Sequence, residues 1–141
     1  MTSLLERESR FTFLPPNGDR RSTAVLAGVA GALRALPEAA RRTVTFDRGT
    51  EIAGGYAALD RHLALASYFC DPHSLWQKGG VENANGRVRR FLPREAEPEA
   101  LGRAHLRRLA DRLDDTPRRC LGYRTPREVF EEHLAAPDRS P

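Results

Sequence analysis

Cys70-Asp71-Pro72-His73-Ser74-Leu75-Trp76-Gln77-Lys78-Gly79-Gly80-Val81-Glu82-Asn83-Ala84-Asn85-Gly86 is the stretch whose reading decides the fold. A loop stiffened by Pro72 runs into a helix, which is expected to continue to about Leu92 and to stop at Pro93. Val81, Ala84, Val88 and Phe91 recur at i, i+3, i+7 and i+10 and make one apolar face. Glu82, Asn85, Gly86 and Arg89 recur at i, i+3, i+4 and i+7 on a second face. One carboxylate, one amide and one guanidinium therefore point the same way, with a glycine that lets another backbone come close. A carboxylate near a helix start also suits the positive end of the helix dipole, with no chemistry implied.

The order of these residues resembles the glutamate motif of the DDE transposases, and of the insertion-sequence thirty family in particular. That family carries Cys-Asp-Pro-His-Ser-Pro-Trp-Gln-(Lys/Arg)-Gly, followed by Glu-Asn-x-Asn-Gly. The present chain departs at Leu75, usually Pro, and at Val81, usually Asn, and neither change removes a ligand. The resemblance runs from about Ser3 to Leu134. It implies an α/β fold of the ribonuclease-H-like, integrase-core type and phosphoryl transfer on DNA. It also implies two Mg²⁺ or Mn²⁺ ions held by hard oxygen ligands.

Carried onto this sequence, the resemblance makes Asp47 and Glu82 the catalytic, metal-holding acids. Asp47-Arg48-Gly49-Thr50-Glu51 matches the motif of the second catalytic aspartate, and 34 residues separate Asp47 from Glu82. Arg89, Asn85 and Lys78 are the implied DNA-contacting residues. The first aspartate of the triad has no counterpart: Asp19 is the first Asp in the sequence and follows Pro15-Pro16-Asn17-Gly18 in a turn. The expected fold thus lacks its first, central strand, leaving unpaired strand edges. The chain is expected to be inactive alone, or to act as a non-catalytic remnant that binds DNA or co-assembles with intact transposase. A homo-oligomer is a further expectation.

Composition bounds these readings without deciding between them. The 141 residues fit one domain, with residues 1–134 as a partial core and 135–141 as a disordered tail. The formal net charge is +4, and of the 23 basic residues Lys78 is the only lysine. Guanidinium suits bidentate phosphate contacts, but so small an excess is also an ordinary solvated surface. Cys70 and Cys120 are the two cysteines and form no C-x-x-C pair. A zinc module on Cys70, His73 and Cys120 lacks a second close ligand pair, so a buried thiol and a loop histidine are the simpler reading. No apolar run reaches membrane-spanning length and no leader is visible, so the expectation is a cytoplasmic protein, nucleoid-associated when on DNA.

Along the chain, residues 3–6 and 10–14 read as two strands joined by the polar turn Arg7-Glu8-Ser9. A helix capped by Ser22 or Thr23 is expected to run to about Leu36, with Val25, Val29, Ala32, Leu33 and Leu36 inward. Thr43-Val44-Thr45-Phe46 is a short strand that ends just before Asp47, at the mouth of a sheet, where ligands collect. A turn aspartate bonding its own backbone is the local alternative for Asp47. A second helix is expected from Thr50 to about His62, with Glu51 either assisting Asp47 or serving as a surface acid. A strand follows over Leu63–Phe69. Trp76 reads as a packing anchor or a DNA-end contact. After a linker at Arg94–Glu99, a helix from Ala100 to Asp115 is expected to bury Leu101, Ala104, Leu109 and Leu113. Its arginines Arg103, Arg107, Arg108 and Arg112 face solvent or DNA. Asp114 to Tyr123 reads as a loop, and Thr125-Pro126 starts a last helix to Leu134.

Overall fold

Thr43 to Phe46 alternates outward and inward, with Val44 and Phe46 buried and both threonines exposed, the pattern of a half-buried strand. The computed structural model describes residues 2–16, 21–46, 55–70, 75–92 and 101–136, without the side chains of residues 22, 75–78 and 81. The strand at Thr43–Phe46 (β3) pairs in parallel with Ala66–Phe69 (β4), in the register Val44↔Ser67 and Phe46↔Phe69. Parallel strands need a crossover, and helix α2 (Tyr56–Leu63) supplies it. Ala64 ends α2 in the left-handed conformation with its N–H on Asp60 O. Helix α1 (Ser22–Arg34) contributes Val25, Val29 and Leu33 to a core with Val44, Phe46, Leu59, Leu63 and Leu65. Pro15 crosses α1 at Gly28, where an added Cβ would come within 3.2 Å of the proline ring.

A second, separate ladder is the antiparallel hairpin of Leu4–Leu5 (β1) and Thr12–Phe13 (β2). Glu6 builds its turn: the carboxylate accepts the N–H of Glu8 at 3.0 Å, the N–H of Ser9 at 2.6 Å and the Ser9 hydroxyl at 2.5 Å. Burial raises the Glu6 carboxyl's affinity for a proton, but these hydrogen bonds outweigh it and leave the pKa lowered. Arg10 closes the turn with a positive φ of 64°. Phe11 and Phe13 meet Phe130 with centroids 4.4 and 5.8 Å apart, a three-ring cluster.

Three further helices surround the hairpin. Helix α3 spans Leu75–Phe91, α4 spans Arg103–Asp114 and α5 spans Pro126–Ala135. Leu14, Val88, Leu106, Leu109 and Leu113 form the second buried cluster, with Val88 wholly excluded from solvent. Thr125 starts α5 with a full capping box to Glu128, and Pro126 sits at its first turn, as the sequence predicts. Arg127 ties α5 to α4 through Asp111 at 2.7 Å and Asp115 at 2.6 Å. Between the two ladders no strand pairing exists among the described residues.

Several expectations need correction. Arg21, not Ser22 or Thr23, occupies the N-cap of α1, and it makes no side-chain cap bond. Leu63 ends α2 rather than opening a strand, because the left-handed turn at Ala64 intervenes. Ala104 is exposed and Leu106 is buried, since α4 turns the 106/109/113 stripe inward. Phe91 is 39% exposed and carries Arg112 over its ring at 4.3 Å. The residues expected as a tail contribute Ala135 to α5, while 137–141, the linker at 94–99 and the start of the second expected helix lie outside the described residues.

Asp114, where the expected helix and the expected loop overlap, is the last residue of α4 and is 1% exposed. Its Oδ1 accepts the backbone N–H of Thr12 at 2.9 Å, on the edge of β2 away from β1. Burial pushes its pKa up to about 7, against the Thr12 bond and the nearby Arg127 and Arg118 charges. A folded-state pKa above the unfolded one means that stability present at low pH is lost as pH rises through about 7. Asp114→Asn keeps the acceptor and removes that loss. Its urea-unfolding stability relative to the parent is expected to rise between about pH 4 and 7, by roughly 2–4 kcal/mol, and then level off. Asp114→Ala loses the acceptor and is expected to destabilise by about 1–3 kcal/mol at pH 5.

Candidate nucleic-acid interface

The orientation of α3 decides which of its side chains are available for chemistry. Ala84 and Val88 are buried, and this holds the opposite side of the helix outward. Glu82 and Arg89 are exposed there, as their spacing predicts. Glu82 forms no ion pair or hydrogen bond among the described residues. The helix begins at Leu75, two turns before Glu82, and the first turn carries no acid. The dipole therefore does not explain this carboxylate, because its effect fades within the first turn.

Asn85 is half-buried, and its side-chain oxygen accepts the Ser3 hydroxyl at 2.6 Å. This bond ties the start of the hairpin to α3 across 82 residues of sequence. It leaves the Asn85 amide NH₂ as the group free to donate. Ser3 has no signal in the sequence that marks it as a partner of Asn85; only the fold reveals it.

The second predicted acid, Asp47, lies outside the described residues, as do Glu51 and His73, and the side chains of Trp76 and Lys78 are not described. What surrounds Asp47 in sequence is described. Phe46 ends β3 opposite Phe69, and Phe46 O accepts the Cys70 N–H at 3.0 Å. Both parallel strands thus finish at one edge of the ladder, and the chain leaves Cys70 for α3 only five residues later. Among the described residues there is no group of three His, Cys, Asp or Glu that could hold a metal. Cys70 is buried and Cys120 exposed, both as free thiols. No described helix is long and apolar enough to cross a membrane.

Comparison with known proteins now bears on this geometry. The chain is 39% identical over 139 residues to the transposase for insertion sequence element IS1086 of Cupriavidus metallidurans. It is 32% identical over 144 residues to transposase InsI for insertion sequence element IS30A of Escherichia coli. Each match takes in 98% of this chain. The chain is a homologue of the insertion-sequence thirty transposases. It spans 41% and 36% of the length of these two relatives. No family model matches.

The structure resembles the catalytic core domain of BIV integrase with a TM-score of 0.65 at 17% identity, covering 93% of this chain and 84% of that one. The fold is therefore the ribonuclease-H-like α/β fold of integrase cores, as expected. Glu82, exposed and without an ion pair or hydrogen bond among the described residues, contributes little to folding. Glu82→Gln is expected to change unfolding free energy by less than about 0.5 kcal/mol. Asn85→Ala, which strands the Ser3 hydroxyl, is expected to cost about 1 kcal/mol in the same urea titration.

Proposed function

We propose that this chain is catalytic-core sequence of a DNA transposase, with Asp47 and Glu82 as two of its metal-holding acids. The observation that carries the reading is the transposase homology across 98% of the chain, joined to an integrase-core fold in which Glu82 is exposed and has no partner among the described residues. The donor chemistry suits a hard divalent ion. Glu82 offers a carboxylate with no competing cation among the described residues, and Asp47 follows directly on the last residue of β3. When bound, a pair of divalent ions would activate the attacking hydroxyl and stabilise the leaving oxygen of an in-line displacement.

The roles of the chain's own residues follow from where they stand. Arg89 shares the exposed face of Glu82 and meets a DNA phosphate by paired N–H donors. Asn85 donates through its NH₂, its oxygen being held by Ser3. Lys78, one turn nearer the start of α3, adds a cation for the same backbone. With two acids in place of three, metal is held weakly and the chain alone does not cut DNA.

The alternative, a non-catalytic partner that co-assembles with intact transposase, gains support from the two separate two-stranded ladders. Their edges have no strand partner between them among the described residues, and unpaired edges recruit strands.

A binding and nicking assay on supercoiled and short duplex DNA tests the proposal. The chain is expected to bind duplex at low salt without nicking it in Mg²⁺ or Mn²⁺. Arg89→Ala is expected to lower the slope of log affinity against log salt by about one. An unchanged slope removes the DNA-facing role of this helix side. Metal-dependent nicking that disappears in Glu82→Gln overturns the inactive-alone reading and leaves a working enzyme in its place.

A further inference from the structure

Helix α3 has a third stripe that the proposed chemistry does not use. Gly80, Asn83, Ala84 and Arg87 recur at i, i+3, i+4 and i+7, and Arg87 lies about 140° round the helix axis from Glu82. This stripe forms one wall of a cavity of about 300 Å³. Arg10 and Thr12 of the hairpin and Arg118, in the turn after α4, form the others.

Three arginines line this one cavity, and among the described residues no acid does. All three are half-buried. Each is fixed by a separate feature of the fold. Arg10 is set by the left-handed end of the Glu6 turn and lies against α3 where Gly80 makes room: a Cβ on Gly80 would come within 3.4 Å of Arg10 Nη1 and 3.2 Å of Leu5. Arg87 is carried by the helix. Arg118 Nη2 donates to Leu113 O at 2.9 Å, while its buried Nε has no hydrogen-bond partner.

A buried, unsatisfied donor and a like-charge cluster are both costly without a counter-ion. Burial, followed by the neighbouring Arg87 charge, lowers the pKa of Arg118. Asp114, the nearest acid acting on Arg118, is engaged by the Thr12 N–H and does not line the cavity. An oxyanion with several acceptor oxygens suits such a cluster, which is the usual way clustered arginines are used.

We propose that this cavity is a binding site for a phosphate-class oxyanion, held by Arg10, Arg87 and Arg118 on the side of α3 away from Glu82. The site does not depend on the reading of Glu82 as a metal ligand. A free phosphate and a DNA backbone phosphate present the same chemistry here, and the experiment separates them.

Calorimetric titration of the whole chain with inorganic phosphate at low ionic strength reads the site directly. Saturable binding is expected in the parent, in Glu82→Gln and in Arg89→Ala. Arg87→Gln and Arg10→Ala, each checked for folding by circular dichroism, are expected to weaken it by at least about tenfold. Displacement of bound phosphate by a short duplex identifies the source as DNA backbone. Retention of phosphate alongside duplex identifies it as free phosphate. Absence of saturable binding in the parent, or an affinity equal to the parent's in either folded arginine variant, overturns the proposal.

Discussion

The burial of Ala84 and Val88 is the contact on which the rest of the molecule depends. Val88 packs without solvent against Leu14 and the Leu106, Leu109 and Leu113 stripe of α4. A helix fixed on that side has one possible outward face, and Glu82 and Arg89 lie on it. The same constraint aims Arg87 toward the hairpin. One packing event thus gives three sides of a 17-residue helix three different surroundings. Removing buried methyl groups at such a site leaves a cavity that its neighbours only partly fill, so loosening here moves every functional side chain together.

Polar groups shape the hairpin and tie it to α3 and α4, and each is specific. Glu6 organises the turn, Ser3 reaches Asn85, and Asp114 satisfies the edge of β2. Asp114 is an expensive way to finish a strand edge, because a buried carboxylate resists ionising. It takes the place that a neighbouring strand would fill in a wider sheet. The hairpin is therefore anchored to helices on its outer edge and is not paired to β3 among the described residues, although Leu4 of β1 packs against the core around Val44 and Phe46.

Much of this was legible in the chain because some signals are local. Thr43–Phe46 was readable to the residue from its alternation and β-branched content, and Thr125-Pro126 from its capping chemistry. The motif around Glu82 gave the family before any coordinate. What failed was phase and distance. Ala104 and Leu106 exchanged roles because Ala104 lies about 140–180° round the helix from Leu109 and Leu113, whereas Leu106 shares their side. The burial of Asp114 was not readable because its partner is the backbone of Thr12, 102 positions away. The arginine cavity was invisible for the same reason. Arg10, Arg87 and Arg118 belong to three different segments, and no periodicity links them.

The central claim is that Asp47 and Glu82 serve one divalent site. Electron paramagnetic resonance of Mn²⁺ titrated into the isolated chain tests it most directly. A shared site predicts weak binding that Asp47→Asn and Glu82→Gln each abolish, with the double variant no worse than either single one. Mn²⁺ affinity unchanged in both single variants, or two independent losses that add in the double, would contradict it.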